Sequence, residues 1–321
     1  MLKLVRSISP DEVAAFHLSG VVLLKSVLDL NGVNSLRRCI DDATDSLHES
    51  PAGYDLSALA KAAESLDEAT LADHCDGQYD VLGLVKFIRS SGEPLLQDKS
   101  SAPIGSFVLD SAVSSRLSPF KQICLKGAMP EIAGALLKSE TVTFLGDQIF
   151  VKEPQTQEKT AFHQDAAYFE IEGEQCCVMW IPVDPVTAKN GGMKYVRGSH
   201  RGELFAPNLF VTRARMPGSE GDLLPDIDAN PDAYDIVQFD VEPGDILVHH
   251  YKTIHGAGGN LSRYQVRRAA SLRYCGDDIR FRSRPGVPVQ LHHTHQLQDG
   301  DPLTGPDFPV VFRRLSTTQA A

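Results

Sequence analysis

The sequence lacks several features that would assign a protein to a familiar class. Residues 1–24 contain no hydrophobic run long enough for a secretion signal or a membrane span. None of the six cysteines stands in C-x-x-C spacing, so neither a zinc knuckle nor a thioredoxin motif is indicated. Basic residues are fewer than acidic ones, 31 against 42, and the net charge of -11 argues against contact with nucleic acid or a membrane surface. We therefore expect a cytoplasmic protein with reduced thiols.

The remaining composition is that of an ordinary globular protein, with 42% hydrophobic and 23% charged residues in a chain of 321. Ser9, followed by Pro10 and Glu12, predicts a helix that starts with a capping box and ends at Gly20. A short strand is predicted next, at 21–24. Further helical periodicity occurs at 30–47, 56–71 and 119–138.

The pattern changes near residue 141, where short β-branched and aromatic runs begin to alternate with Gly, Pro and Asn turns. Regular short strands of this kind predict a sandwich or jelly roll. The predicted strands are 142–144, 148–152, 176–183, 194–196, 236–239, 245–249 and 269–274. We expect 207–234, rich in Pro, Gly and Asp, to be an insertion near the mouth of a site.

These patterns predict one catalytic domain that is mainly β with helices (α+β). Residues 1–140 are expected to form a helical N-terminal part and lid, and residues 141–275 the jelly-roll core with the metal site. Residues 276–321 are expected to form a C-terminal extension.

Three potential metal ligands occur in this core. His163 and Asp165 stand two residues apart, and the period of a strand would place both on one face. His255, about ninety residues later, can bring a second imidazole from a distant strand. Two histidines and one carboxylate with open positions opposite suit non-haem Fe(II).

The surroundings of these residues resemble the phytanoyl-CoA dioxygenase family of Fe(II)/2-oxoglutarate oxygenases. Each matching piece is weak alone, but their order over roughly 140–275 is specific. The pieces are Phe162-His163-Gln164-Asp165 with Tyr168-Phe169, Trp180-Ile181-Pro182-Val183, Asn190-Gly191-Gly192-Met193, Val196-Arg197-Gly198-Ser199-His200-Arg201, Gly244-Asp245-Ile246, His255-Gly256 and Arg267-Arg268-Ala269.

The resemblance implies a double-stranded β-helix, the cupin-like jelly roll, that uses Fe(II), 2-oxoglutarate and O2. It implies that His163, Asp165 and His255 bind the iron. Arg267 matches the arginine that holds the distal carboxylate of 2-oxoglutarate, because a planar guanidinium pairs with a carboxylate through two hydrogen bonds. The gap between His255 and Arg267 is one residue longer than usual, so Arg268 remains an alternative.

Other residues are weaker candidates for the cosubstrate site. Ala257 stands where the family often has a serine that contacts the cosubstrate. Lys152, Trp180 and Tyr168 could each reach the pocket, with a surface position or core packing as the alternative. Of the remaining histidines, His249 or His250 could point inward, His200 is expected to be structural, and His292-His293-x-His295 could be a surface metal tract.

The implied reaction is hydroxylation of a small-molecule C–H bond with release of succinate and CO2. Asp165 fills a position that is small in halogenating relatives, which disfavours halogenation. Two alternatives stay open, a cupin-type metal enzyme that does not use 2-oxoglutarate and a non-catalytic metal-binding sensor. The sequence does not decide the substrate, whether it is a CoA thioester, whether desaturation or ring formation replaces hydroxylation, or the oligomeric state.

Overall fold

The computed structural model describes residues 2–58, 61, 92, 95–98, 105–286 and 293–314, so the predicted helix 56–71 lies largely outside the described residues. Helix α1 (Pro10–Ser19) starts as predicted, because the Ser9 hydroxyl accepts from the Glu12 amide while the Glu12 carboxylate accepts from the Ser9 amide. It ends at Gly20, whose φ of +75° is left-handed. The other α-helices whose bounds lie within the described residues are α2 (Leu30–Asp45), α3 (Val113–Arg116), α4 (Ser118–Leu125) and α5 (Ala128–Leu137).

Fourteen strands are found in the described part of the chain. They are β1 (Val21–Leu24), β2 (Gly53–Asp55), β3 (Phe107–Ser111), β4 (Thr141–Lys152), β5 (Thr160–His163), β6 (Ile171–Glu172), β7 (Cys176–Pro182), β8 (Met193–Val196), β9 (Ile236–Gln238), β10 (Ile246–His250), β11 (His255–Ala257), β12 (Arg267–Cys275), β13 (Arg280–Phe281) and β14 (Val310–Arg313). The two predicted strands 142–144 and 148–152 are one strand, β4. The pairing of β4 with β12 shifts by one residue between Arg273 and Tyr274, so that Leu145 has no partner residue on β12.

The strands form two main antiparallel sheets. The larger has the order β1-β10-β7-β12-β4-β3-β2, with β14 also on β4, and the smaller has the order β5-β11-β8-β9. Trp180 and Leu247 of the larger sheet pack with Met193 and Tyr195 of the smaller in one buried cluster. This double sheet confirms the prediction of a mainly β jelly roll. The larger sheet includes strands from before residue 141 and from after residue 275.

Strand β12 shows how the sheet divides its side chains between two environments. Ala270 and Leu272 belong to the core that the larger sheet shares with α2, α4 and α5, while Ala269 faces the smaller sheet. Successive residues of a strand point to opposite faces. Arg267, Ser271 and Arg273 therefore lie on the inner face with Ala269. The helices cover the outer face, and the interior between the sheets is left for a site.

Candidate metal centre

The three predicted ligands converge between the sheets. His163 ends β5, His255 begins β11, and the two residues are direct partners in the antiparallel register. Their ligand atoms and those of Asp165 lie within 4.8 Å of one another, and all three side chains are buried. The Nε2 atoms of His163 and His255 are 3.7 and 3.9 Å from the Asp165 carboxylate oxygens. One ion can therefore reach all three groups.

Asp165 does not converge for the reason that its spacing suggested. Strand β5 ends at His163, and Asp165 is the first residue of a 3-10 turn rather than part of the strand. A backbone hydrogen bond holds this turn against a distant segment of the same chain, because the Ala166 amide donates to the Tyr251 carbonyl at 2.8 Å. The prediction that a regular strand places both ligands on one face is wrong, although both side chains meet at the same point.

Hydrogen bonds orient the two imidazoles. The Nδ1 atoms of His163 and His255 lie 2.8 and 2.9 Å from the carbonyl oxygens of Ala161 and Thr253. An Nδ1–H that donates to a carbonyl leaves the Nε2 lone pair for a metal. The second carbonyl is itself fixed, because the Thr253 hydroxyl donates to the Gly20 carbonyl at the end of α1, 2.7 Å away. The end of the N-terminal helix thus fixes Thr253, in the loop that leads into His255 and β11.

Electrostatics favour the protonation states that a metal requires. Burial alone would raise the pKa of Asp165, but His255 and hydrogen bonds from His163 and His249 hold it well below its usual value. Burial lowers the pKa of His255 well below its usual value, and the neighbouring imidazoles act in the same direction. An ionised carboxylate and a neutral imidazole are the forms that bind metal ions.

A fourth histidine stands beside the ligands. His249 Nε2 lies 3.1 Å from Asp165 Oδ2, and its ring centroid is 4.3 Å from that of His255. Its Nδ1 is buried without a hydrogen-bond partner among the described residues. The sequence indicated that His249 or His250 could point inward, and His249 does so. The signal is alternation along β10, which puts His249 on the same face as Leu247 of the inner cluster.

Arg267 lies in the same cavity as the three ligands. The cavity is lined by Phe107, Gln148, Phe150, Thr160, His163, Asp165, Trp180, Met193, Phe210, His249, His255, Ala257, Arg267 and Ser271. The side chain of Arg267 is buried, its Nε has no hydrogen-bond partner, and it forms no ion pair with any described residue. Burial lowers its pKa to about 10. A buried guanidinium of this kind fits a carboxylate ligand.

Arg268 has a different environment. It points to the outer face, where Nε and Nη2 donate to the two carboxylate oxygens of Asp184 at 2.9 and 2.7 Å. Its Nη1 also donates to Asp41 of α2 at 2.7 Å. These ion pairs join β12 to the helical layer. The donors of Arg268 are already paired, so the geometry favours Arg267 for a ligand.

The remaining candidates take three different positions. Trp180 lines the cavity with an unpartnered Nε1, and the Arg267 Cζ lies 5.7 Å from its ring. Tyr168 packs its ring edge-on against His163 at 5.7 Å, but its hydroxyl bonds to Asn208. Lys152 is buried outside the cavity lining, and its Nζ donates to the carbonyls of residues 158 and 258 at 2.8 and 2.7 Å. Trp180 alone of the three presents a free donor to the cavity.

The segment 207–234 covers the site, as the sequence indicated for an insertion at its mouth. Phe210 lies over His163 with ring centroids 4.8 Å apart, and its carbonyl accepts from the Ala161 amide at 2.8 Å. The Asn208 side chain donates to the Phe162 carbonyl at 3.0 Å. Reasoning from the sequence did not identify Phe210 or Asn208, because neither belongs to a motif.

Histidines outside the cavity serve other contacts. His200 Nε2 lies 3.2 Å from the His17 carbonyl. His293 and His295 pack on Phe308 with centroid distances of 4.9 and 5.1 Å. Among the described residues the triad is the one group with metal-binding geometry, and His292 of the predicted tract lies outside them.

Comparison with known sequences gives a consistent picture. The family model described as "Phytanoyl-CoA dioxygenase (PhyH)" matches residues 16–269. A probable phytanoyl-CoA dioxygenase of Caenorhabditis elegans is 29% identical over 118 residues, which are 36% of this chain and 36% of the relative, so the match spans about a third of that relative's length. A phytanoyl-CoA dioxygenase of Arabidopsis thaliana is 21% identical over 276 residues, 85% of this chain and 90% of the relative.

Solved structures share the fold. The non-heme alpha ketoglutarate dependent carbocyclase SnoK from nogalamycin biosynthesis superposes with a TM-score of 0.60 at 21% identity, covering 97% of this chain and 99% of SnoK. EctD from S. alaskensis, solved with 2-oxoglutarate and 5-hydroxyectoine, superposes with a TM-score of 0.56 at 16% identity, covering 92% and 86% of the two chains. These superpositions confirm the double-stranded β-helix.

Proposed function

Since this chain belongs to the phytanoyl-CoA dioxygenase family and is an Fe(II)- and 2-oxoglutarate-dependent dioxygenase, we propose that His163, Asp165 and His255 are its iron ligands and that Arg267 holds 2-oxoglutarate. One observation carries the assignment. The cavity that contains the three ligands also contains a buried guanidinium that forms no ion pair with any residue in the described part of the chain.

The donor set fits the metal. Two imidazoles and one carboxylate suit ferrous iron and leave positions for other oxygen ligands. When bound, iron and 2-oxoglutarate supply the oxidising chemistry, in which 2-oxoglutarate and O2 yield succinate and CO2 while one oxygen atom oxidises the substrate. The Ala161 and Thr253 carbonyls keep both Nε2 atoms aimed at the metal position.

Other residues shape the rest of the cavity. Arg267 would pair with the distal carboxylate of the cosubstrate, and Trp180 Nε1 is a second unpaired donor near it. Phe107, Phe150 and Phe210 line the space with apolar surface that excludes water. A dry cavity strengthens the pairing of guanidinium and carboxylate, because fewer water molecules compete.

The reaction that we propose is hydroxylation of a C–H bond in a small molecule. The similar solved structures are a carbocyclase, SnoK, and EctD in complex with 5-hydroxyectoine, so related folds carry out different reactions. The unpaired Arg267 speaks against a cupin-type enzyme that does without 2-oxoglutarate and against a metal sensor. A cytoplasmic location is part of the proposal, supported by the five cysteines among the described residues, all of which are free and buried. No described helix has the length and apolarity that crossing a membrane requires.

The ligand assignment is tested by metal content and turnover together. Protein reconstituted with Fe(II), ascorbate and carboxyl-labelled 2-oxoglutarate should bind one iron per chain and release labelled CO2. We expect His163→Ala to lose both properties, and His48→Ala, which changes an exposed histidine that does not line the cavity, to keep both. A His163→Ala protein that binds iron and decarboxylates 2-oxoglutarate as well as the wild type would refute the assignment.

A further inference from the structure

We propose that Arg273 and the aromatic recess beside it form the binding subsite for the primary substrate, and that this subsite takes a small ring-containing molecule bearing a carboxylate. The proposal rests on the proposed function, because it places the substrate next to the metal centre assigned above.

The recess is a second cavity that adjoins the metal cavity. Two residues connect it to the metal cavity. Tyr168 lines the recess and packs against His163. Gln148 lines the metal cavity and accepts a hydrogen bond from Arg273, which lines the recess.

Arg273 occupies the inner face of the same strand as Arg267. The two residues are six positions apart on β12, so their Cα atoms are about 20 Å apart at about 3.3 Å per residue. Ser271, between them, lines the metal cavity. Two inward guanidiniums at this separation indicate two different anions, one from the cosubstrate and one from the substrate.

Arg273 forms no direct ion pair with a described residue, although the carboxylates of Asp165 and Asp147 act on its charge from a greater distance. Its Nε is buried without a hydrogen-bond partner, and the guanidinium forms no ion pair with any described residue. The carboxylates of Asp147 and Glu170 also line the recess, but neither is within ion-pair distance. Asp147 instead accepts from the Ser114 hydroxyl. A buried guanidinium whose Nε has no partner is suited to hold a carboxylate, because the planar group can donate two parallel hydrogen bonds to one.

The aromatic residues that line the recess indicate which other chemical groups the ligand carries. Phe169 lies 4.7 Å from the Arg273 Cζ and keeps the guanidinium plane in position. Phe281 and Phe308 add aromatic surface, and His293 and His295 pack beside Phe308. Aromatic walls favour a ligand with a ring system, since offset stacking adds to apolar burial.

The test uses two probes that differ only in charge, 2-naphthoate and 2-naphthamide. Binding is measured by calorimetry without oxygen, on protein loaded with Fe(II) and saturated with 2-oxoglutarate so that Arg267 is occupied. We expect wild type and the exposed-surface control Arg38→Gln to bind the carboxylate at least about tenfold more tightly than the amide. Arg273→Gln should lose this preference.

A variant that retains the positive charge keeps the test decisive if Arg273→Gln does not fold. Arg273→Lys should keep a reduced preference, because an ammonium attracts the carboxylate but cannot bind it through a planar fork. If Arg273→Gln does not fold, an undiminished preference in Arg273→Lys overturns the proposal. Equal binding of both probes by the wild type, binding of neither, or a preference that survives Arg273→Gln also overturns it.

The same samples separate this proposal from the assignment of the metal centre. Failure of the wild type to bind 2-oxoglutarate with Fe(II) would refute the assignment of Arg267 and the iron ligands. Normal binding of 2-oxoglutarate without a carboxylate preference at Arg273 would refute the substrate subsite alone. A preference that disappears in Arg267→Gln but persists in Arg273→Gln would show that the probe occupies the cosubstrate position, and would overturn the subsite.

Discussion

Two adjacent arginines allow a direct test of which side chain binds the cosubstrate. Arg267 is buried in the cavity and forms no ion pair with a described residue, whereas Arg268 is paired with Asp184 and Asp41 on the other face of β12. We therefore expect Arg267→Gln to impair 2-oxoglutarate binding without loss of stability. We expect Arg268→Gln to reduce stability without affecting 2-oxoglutarate binding.

The expected sizes follow from the two environments. Two charge-assisted hydrogen bonds at about 1.5 kcal/mol or more each are worth about 3 kcal/mol, so Arg267→Gln should weaken 2-oxoglutarate binding at least about 100-fold. Burial lowers the pKa of Arg267 from 12.5 to about 10, which corresponds to a destabilisation of roughly 3 kcal/mol by the buried charge. Removing that charge should therefore not lower the free energy of unfolding. Loss of the partly exposed Arg268 pairs should cost about 1–2 kcal/mol.

Calorimetry with Fe(II) under anaerobic conditions measures the affinity for 2-oxoglutarate, and urea unfolding measures the stability. The decisive comparison is between the two variants, since both remove one positive charge at neighbouring positions. If Arg268→Gln weakens 2-oxoglutarate binding and Arg267→Gln does not, the proposal that Arg267 binds the cosubstrate is wrong. Equal effects of both variants on affinity would also contradict it.

Three further predictions concern stability and the cosubstrate pocket. Burial, with His200 and Lys252 adding to it and Glu174 opposing, lowers the pKa of His250 from 6.5 to about 4. Its contribution to stability, up to about 3 kcal/mol, is therefore full above pH 6.5 and lost as the pH falls towards 4. Urea midpoints against pH should show this slope in the wild type and a flatter one in His250→Gln. Gly191→Ala should raise the KM for 2-oxoglutarate and leave iron content unchanged, because φ is +87° and a Cβ would lie 3.3 Å from Arg267 Nη2. Gly300→Ala is the control, because a Cβ at Gly300 would meet no atom within 4 Å. An equal rise in the KM for 2-oxoglutarate in Gly300→Ala would contradict the explanation by contact with Arg267. Saturating Fe(II) should raise the melting temperature of the wild type, and chelation should reverse the rise; an unchanged melting temperature would argue against a metal site.

The jelly-roll strands could be predicted from the sequence because they follow from short-range pattern and residue type. The convergence of His163, Asp165 and His255 followed from the resemblance to the family, because the spacing of the three residues alone is a weak signal. Strand alternation placed the two arginines of β12 on opposite faces. The same alternation failed for Asp165, because a backbone hydrogen bond from Ala166 to the distant Tyr251 ends the strand early. Pattern alone could not find Phe210 and Asn208, whose positions depend on how a long insertion folds back over β5.

The bond between Thr253 and Gly20 links positions 233 residues apart, and β1 pairs with β10 beside it. A chain growing on the ribosome exposes α1 and β1 long before their partner strand is synthesised. The loop that carries His255 can therefore be secured only when most of the polypeptide has emerged. High contact order of this kind slows folding, so we expect the proposed iron ligands to come together only late in folding.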